Sequence, residues 1–273
     1  MSNDLYRVCL IGSGNVATHI GRALHQSGCI ISGVYSKNIQ HAQALCSEIA
    51  GNVAVDNVSL LPEADFYIIS VKDAVIGEVA KRLKSCKPDA FCIHTSGSIP
   101  LGVISKHFVQ SAVVYPLQTI SKNELMDFGN TPLFIEAANS DSLQRAVLLA
   151  KSLSTKIYFL DSAQRKRLHL AAVFANNFSN HCFAIAYDLL KQADIDPSCL
   201  QPIIQHTVDK LAYMSPTEAQ TGPAVRWDTN VLDAHQNALD GNPDLQTLYK
   251  LMSKSIHAFH DKLRFEKNKS LGI

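Results

Sequence analysis

The stretch VCLIGSGNVATHIGRALHQSG, residues 8–28, places three small residues between a short apolar run and a helical pattern. The run at residues 8–11 is apolar and partly β-branched, which suits a buried strand of a parallel sheet. After the small residues, apolar side chains recur at the spacing of one helical face, and Gly28 stands where a helix would end. Gly12, Gly14 and Ala17 are therefore predicted to lie in a strand-to-helix turn.

The spacing G-x-G-x-x-A is typical of a dinucleotide-binding turn, although the pattern alone also recurs by chance. In such a turn the first glycine permits the tight bend, the second lets the backbone approach a pyrophosphate, and the third small residue lets helix and strand pack closely. The strand before it and the helix after it favour this interpretation over a merely flexible turn. The predicted cofactor-binding residues here are Gly12, Ser13, Gly14, Asn15 and Val16, joined by Val71 at the end of a later strand-like run.

Strand-like runs alternate with helical patterns over the first part of the chain, which predicts a doubly wound, mostly parallel α/β sheet. The runs are YRVCLIG, CIISGVYS, DFYIISV, AFCIHTSG, SAVVYPLQ, PLFIEA and KIYFLD, and helical segments between them include 39–50, 74–83 and 142–153. No strand-like run follows Asp161, and long helical patterns begin at Ser162. We therefore expect a dinucleotide-binding domain at 1–161 and an all-α domain at 162–273.

The composition excludes several classes of function. The 25 Lys and Arg residues nearly balance 24 Asp and Glu residues with no long run of either sign, so we expect no nucleic-acid partner. No apolar stretch reaches a membrane-spanning length, and the N-terminus has no signal-peptide pattern, so we expect no membrane association. The seven scattered cysteines, never in C-x-x-C spacing, are typical of reduced thiols, which predicts a cytoplasmic location.

The segment GVYSKN, at the end of the second predicted strand, bears on the choice of dinucleotide. NAD sites usually place a carboxylate here on the ribose hydroxyls, but this segment has none. Ser36 and Lys37 are instead able to donate to a 2′-phosphate, which favours NADP. The alternative is that both residues simply form a solvated turn.

Five motifs together carry a resemblance that extends over nearly the whole chain: LIGSGNVATHIG, HTSGSIPL, YPLQT, RLHLAAVFANNF and TGPAVRWD. The chain resembles the Rossmann-like NADP oxidoreductases that have a helical C-terminal domain of unknown function. That family is similar to pyrroline-5-carboxylate reductase, ketopantoate reductase and the β-hydroxyacid dehydrogenases, whose helical domains resemble that of 6-phosphogluconate dehydrogenase. The resemblance implies NADP as cofactor, a small-molecule substrate and a homodimer formed through the C-terminal domain.

One departure from these relatives concerns the proton donor. The β-hydroxyacid dehydrogenases and ketopantoate reductases use a lysine followed one turn later by an asparagine on the first helix of the second domain. The corresponding region here has no K-x-x-x-N and offers His169 with several asparagines. The proton donor must therefore be inferred from other residues.

Ligands of open α/β sheets collect outside the carboxyl ends of the strands, where two runs end in polar residues. The first, CIHTSG, provides the hydroxyl of Ser96 near the nicotinamide or a substrate oxygen, which predicts both cofactor-binding and catalytic roles. The second, VVYPLQT, provides Tyr115 and Gln118 as predicted substrate-binding residues. The alternatives are a capping Ser-Gly turn for Ser96 and a simple proline bend for the other two.

His169, Asn176, Asn180 and Tyr187 lie at offsets that, on a regular α-helix, fall within about 20° of one line. The first three are the predicted catalytic residues of this helix, because a histidine can deliver a proton to a carbonyl or imine. The alternative is a hydrogen-bonded network between domains. Farther along, Arg226 is predicted to clamp an anionic part of the substrate, unless it forms a salt bridge such as Arg226–Asp228.

These features predict an NADP-dependent reductase that moves a hydride to the C=O or C=N group of a small polar metabolite. Two alternatives stay open: an NADP-binding sensor or scaffold without catalysis, and an oxidoreductase whose hydride partner is a deazaflavin coenzyme. His257 and His260 are spaced three residues apart, but we do not expect nearby carboxylates or cysteines to complete a metal site with them, so no metal is expected.

Overall fold

The computed structural model describes residues 6–121 and 126–271, with side chains up to residue 262. The chain divides into two compact units, Met1–Phe183 and Ala184–Ile273. The first contains the whole sheet, and the second is helical.

The first unit is built on one sheet of eight strands in the order β3-β2-β1-β4-β5-β6-β7-β8. The first six positions have the strand order of a doubly wound dinucleotide-binding fold. All neighbours are parallel except β6 and β7, which pair antiparallel. The strands are β1 (Arg7–Ile11), β2 (Ile30–Tyr35), β3 (Ala54–Val55), β4 (Phe66–Ile69), β5 (Cys92–His94), β6 (Ser111–Pro116), β7 (Leu133–Ala137) and β8 (Ile157–Phe159).

Helices cover both faces of this sheet. Asn38 begins α2 by accepting a hydrogen bond from the Gln40 N–H, and Asn139 begins α5 by accepting from the Ser142 N–H. The helices of the first unit are α1 (Asn15–Gln26), α2 (Ile39–Glu48), α3 (Ile76–Cys86), α4 (Gly102–Ser105), α5 (Ser140–Lys151) and α6 (Ser162–Ala172).

The core consists of two layers separated by the sheet, as the two-residue period of a strand requires. In β1, Val8 and Leu10 pack into one layer, whereas Cys9 and Ile11 pack into the other. All four side chains are fully buried, which explains why the run lacks the polar alternation of a half-exposed strand.

Helix α6 continues into a π-helical segment, Val173–Phe178, before α7 (Ser179–Gln192). A π-helical segment adds a residue to a turn, so the residues after it are rotated relative to an uninterrupted α-helix. The predicted alignment of His169, Asn176, Asn180 and Tyr187 on one line assumed a regular helix and is wrong for this reason.

The remaining helices belong to the second unit, which α7 enters at Ala184. Proline occupies the first turn of several of them, where a missing N–H costs nothing. They are α8 (Gln201–Lys210), α9 (Pro216–Ala219), α10 (Pro223–Arg226), α11 (Thr229–Ala238) and α12 (Pro243–Leu271).

The predicted fold class, a doubly wound and mostly parallel sheet followed by an all-α region, is confirmed. Each of the seven predicted runs contains a strand, and the two-residue β3 is the one that the apolar pattern missed. The compact units divide at Phe183, later than the boundary predicted at residue 161 after the last strand. The functional division into 1–161 and 162–273 stays a prediction. Among the described residues, no helix has both the length and the apolar character that a membrane crossing requires.

Candidate dinucleotide and substrate site

The turn between β1 and α1 requires glycine at its first position. Gly12 has a φ of +128°, and its N–H donates to the Tyr35 carbonyl oxygen at 2.8 Å. A Cβ atom at this position would lie 2.2 Å from the Ser70 carbonyl oxygen. The turn can therefore pass this close to the end of β4 only without a side chain.

Gly14, unlike Gly12, faces open space. It is the residue before α1, and a Cβ atom added to it would have no protein atom within 4 Å. No side chain caps the helix, and no acidic residue lies in its first turn. The start of α1 is thus an open, uncapped helix N-terminus, and this arrangement fits the pyrophosphate of a dinucleotide.

The end of β2 carries the residues predicted to select the dinucleotide. Ser36 is nearly buried, and its hydroxyl lies 2.9 Å from the Ser13 hydroxyl, which links it to the glycine turn. Lys37 is exposed and lines the adjoining cavity. Asp56, which directly follows β3, lines the same cavity, so a carboxylate is present here although the GVYSKN segment has none. The sequence pattern missed it because β3 was not predicted.

One cavity of about 900 Å³ connects these features with the ends of β4, β5 and β6, all within the first unit. It is large enough for a cofactor-sized ligand. The residues that line it are Gly12, Ser13, Gly14, Asn15, Val16, Tyr35, Ser36, Lys37, Asp56, Ser70, Val71, Lys72, Asp73, Val75, Glu78, Val79, Arg82, Thr95, Ser96, Gly97, Tyr115 and His169. The structure thus brings together all nine predicted cofactor-binding residues with Tyr115 and His169.

Ser96 lies in a tight turn after β5. Its hydroxyl oxygen accepts hydrogen bonds from the N–H groups of Ser98, at 3.2 Å, and Ile99, at 3.1 Å. Ser96 therefore caps this turn, as the structural alternative for the Ser-Gly turn predicts. The Ser96 hydroxyl also lies 3.4 Å from the Ser98 hydroxyl, and because Ser98 donates its own proton to Asp73, Ser96 is the donor in that contact. It can therefore donate into the cavity only when it turns away from Ser98.

His94 supports this turn from the interior. It is fully buried at the end of β5, and the Ser96 N–H donates to its Nδ1 atom at 3.2 Å. Burial lowers the pKa of His94 to about 4, and the charge of Arg165 acts in the same direction. His94 is therefore neutral at physiological pH and acts as a hydrogen-bond acceptor rather than as an acid.

Tyr115 of β6 and His169 of α6 form a hydrogen-bonded pair at the cavity wall. The Tyr115 hydroxyl lies 3.1 Å from His169 Nδ1, and the rings meet edge to face with centroids 5.9 Å apart. Burial raises the pKa of Tyr115, and the Arg165 charge opposes this with a smaller effect. Gly97 backs the pair, because a Cβ atom there would lie 2.8 Å from each ring.

Arg165 was missed by the sequence analysis. Its side chain is 1% exposed and forms an ion pair with Glu136 of β7, while the guanidinium also donates to the Ile99 carbonyl oxygen at 2.6 Å. Its position could have indicated burial, because Arg165 lies three residues before Leu168, which packs against the core, and so shares its face of α6. The ion pair fixes the helix turn before His169 to the sheet, and the hydrogen bond to Ile99 fixes it to the turn that follows Ser96.

The other predicted residues lie elsewhere. Gln118 is exposed, and its side-chain oxygen accepts from the Thr119 N–H at 2.9 Å. Asn176 and Asn180 are exposed in and after the π-helical segment and do not line the cavity. Arg226 is exposed at the end of α10 in the second unit, and Asp228 there caps α11 through the Val231 N–H. The roles predicted for these four residues stay predictions.

Comparison with known families gives two matches along the chain. Residues 7–96 match the model described as NADP oxidoreductase, coenzyme F420-dependent, and residues 131–256 match a domain of unknown function, DUF2520. No curated protein matches the chain.

Solved structures show closer similarity. The chain is 38% identical to a Bacteroides fragilis protein named as an NADP oxidoreductase, with a TM-score of 0.87 over 93% of this chain and 98% of that one. A Thermotoga maritima protein is 22% identical, with a TM-score of 0.69 over 94% and 99% of the two chains. The 1-pyrroline-5-carboxylate reductase of Streptococcus pyogenes is 14% identical, with a TM-score of 0.61 over 93% and 99%. The last two similarities concern the fold.

Proposed function

We propose a reaction for this protein on the basis of its family. The chain belongs to the NADP oxidoreductases that carry a helical C-terminal domain of unknown function. It is thus an oxidoreductase whose cofactor is a nicotinamide dinucleotide. We infer that it transfers a hydride between NADPH and the C=O or C=N group of a small polar metabolite.

The observation that carries this proposal is the shared cavity. The uncapped start of α1 and the Tyr115–His169 pair line the same cavity of about 900 Å³. The same cavity thus offers both a site for a pyrophosphate and groups that donate protons.

The residues of the glycine turn, Gly12–Val16, would hold the pyrophosphate, and Val71 and Ser96 would contact the nicotinamide half. Bound there, the nicotinamide supplies the hydride that the side chains of this protein lack. The protein provides orientation and the proton.

His169 is the proposed source of the proton that the substrate oxygen or nitrogen gains. The Ser96 hydroxyl is proposed to turn from Ser98 and donate a second hydrogen bond to the reacting atom, and the adjacent Tyr115 is proposed to contact the substrate. Arg226 is the proposed clamp for an anionic substrate group, with Gln118 as a further substrate contact. Asn176 and Asn180 are proposed to assist His169 only if the helix that carries them changes conformation when substrate binds.

The proposed preference for NADPH rests on Ser36 and Lys37, which are a hydroxyl and a cation at the end of β2. Asp56 opposes this preference, because its carboxylate would repel a 2′-phosphate nearby. We propose that Lys37 outweighs Asp56, because the ammonium group on its flexible side chain is free to approach the phosphate.

A screen of small carbonyl and imine compounds, with loss of NADPH as the readout, tests the reaction. We expect the His169→Gln variant to lose about 10²–10⁴-fold in turnover and to bind NADPH as the native protein does. His181→Gln, which changes an exposed histidine outside the cavity, is the matched control. If His169→Gln lowers the melting temperature and turnover falls only in proportion to the folded fraction, the histidine has a structural role.

A second candidate has its own support, because the family model that matches residues 7–96 is described as coenzyme F420-dependent. In that case a deazaflavin is the hydride partner in place of a metabolite. Incubating the protein with NADPH and an oxidised deazaflavin separates the two candidates, since only the second predicts reduction of the deazaflavin. Tight NADPH binding without turnover on either class of partner would favour a sensor or scaffold.

We also propose a homodimer formed through the C-terminal domain. The helices of the second unit leave large apolar side chains exposed, among them Leu189, Ile203, Val208, Leu211, Tyr213, Leu251, Met252 and Phe259. An apolar surface of this extent is more often covered by a partner than left in water. Analytical ultracentrifugation at micromolar concentration should give twice the monomer mass, and a monomer there would remove the proposal.

A further inference from the structure

The side-chain contacts of Tyr115 suggest more than a contact with the substrate. Its hydroxyl lies 3.1 Å from His169 Nδ1, which is the normal distance of a hydrogen bond. Both residues line the cavity, so a ligand there can reach the phenol oxygen. The imidazole thus contacts the phenol through one named nitrogen atom.

The position of Gly97 holds the two rings in this arrangement. A Cβ atom at Gly97 would lie 2.8 Å from Tyr115 Cζ and 2.8 Å from His169 Nδ1. The backbone of the Ser96 turn therefore touches the two atoms or groups that would exchange a proton. Such close packing from a third element keeps the phenol and the imidazole in contact.

The surroundings of the phenol fit its role as a proton donor. Burial raises the pKa of Tyr115, so its hydroxyl keeps its proton near neutral pH and can donate it to a ligand. The Arg165 guanidinium, fixed by Glu136, acts in the opposite direction and stabilises negative charge that develops on the phenol oxygen.

We propose that Tyr115 is the catalytic residue that hands the proton to the substrate, with His169 behind it as the reservoir. This inference rests on the proposed function and adds the route of the proton to it. Protonated His169 donates its Nδ1–H to the phenol oxygen, which leaves the phenol O–H directed at the substrate.

The substrate carbon gains the hydride, and its oxygen or nitrogen takes the proton of the Tyr115 O–H bond. The Nδ1–H bond of His169 breaks, its electron pair stays on Nδ1, and its proton restores the Tyr115 hydroxyl. His169 ends neutral with hydrogen on Nε2, and a solvent proton at Nδ1 regenerates the starting state.

The test compares Tyr115→Phe, His169→Gln and the double variant, with Tyr158→Phe as the matched control. Tyr158 is half-exposed on β8 and stacks on Phe134, so its variant removes a phenol hydroxyl away from the cavity. We expect each single variant to lose about 10²–10⁴-fold in turnover with NADPH affinity unchanged. The double variant should be no slower than either single variant, because the two groups act in one step. A loss below about fivefold for Tyr115→Phe beside a large loss for His169→Gln overturns the relay, since His169 then donates directly.

A second measurement does not depend on turnover. Nitrogen NMR of the histidine rings should show that Tyr115→Phe shifts the Nδ1 resonance of His169 and leaves its Nε2 resonance in place, whereas Tyr158→Phe shifts neither. An unchanged Nδ1 resonance overturns the relay even if no substrate has been found. A native protein that consumes no NADPH while the Nδ1 shift is present contradicts the proposed function instead.

Discussion

Tyr115 and His169 are separated by 54 residues in the sequence, yet their polar atoms meet at 3.1 Å. The contact depends on Gly97, which lies against both rings, because a side chain at this position would collide with them. Three elements, namely β6, α6 and the turn after β5, thus converge at one point of the cavity.

Gly97→Ala should therefore reduce turnover by up to about 10²-fold while NADPH affinity changes little, because the added methyl group displaces the two rings. Gly102→Ala is the control, since a Cβ atom there meets nothing within 4 Å. Steady-state kinetics and calorimetric titration of both variants measure the effect. Equal turnover for the two variants would contradict the close packing at Gly97.

The two glycines of the first turn should separate folding from binding. Gly12→Ala should lose at least about 1–3 kcal/mol of unfolding free energy, because alanine is strained at a φ of +128° and its Cβ atom meets the Ser70 carbonyl. Gly14→Asp should keep the native melting temperature and bind neither NADPH nor NADH, because its carboxylate would occupy the place of the pyrophosphate. Thermal unfolding and calorimetric titration check both results. Native-like binding by Gly14→Asp would mean that the pyrophosphate lies elsewhere.

The choice of dinucleotide should depend on two opposite charges. Lys37→Ala should weaken NADPH binding by about three- to tenfold and leave NADH binding nearly unchanged, because only NADPH carries the 2′-phosphate. Asp56→Asn should act in the opposite direction by removing a repulsive carboxylate. Titration of both dinucleotides against both variants gives the comparison. Tighter binding of NADH than of NADPH to the native protein would exclude the preference.

The stability of the first unit should depend on pH through His94. Because the pKa of His94 is lowered from 6.5 to about 4, the unfolded chain binds the proton first as the pH falls. The contribution is fully present above pH 6.5, declines between pH 6.5 and about 4, and amounts to about 3 kcal/mol. Urea unfolding at pH 7 and pH 4.5 should show a smaller loss for His94→Gln than for the native chain. An equal loss in both proteins would assign the pH dependence to other groups.

Most of the fold could be predicted because its signals are local. The β1–α1 turn is encoded in consecutive residues, and apolar runs long enough to cross the core indicated seven strands. The two-residue β3 has no such run, so Asp56 was not placed at the cavity. A local sequence pattern does not predict which side chains far apart in the sequence will contact each other.

The site shows this limit most clearly. The sequence indicated Ser96, Tyr115 and His169 one by one, whereas their mutual contacts depend on how β6 and α6 cross the turn after β5. Arg165 belongs to a basic stretch, QRKR, that resembles a solvated surface, yet it is buried against Glu136. A carboxylate on another strand decides its burial, and no spacing within the helix encodes that partner.

The π-helical segment at Val173–Phe178 has a consequence for aligning this chain with its relatives. Because the wide turn absorbs one extra residue, a chain that lacks it would continue as a regular α-helix with one residue fewer. Alignment gaps between such chains therefore belong inside this segment, where a single deletion preserves the facing of every residue from Ser162 to Ala172. A gap placed earlier would shift His169 to the wrong column and hide its counterpart.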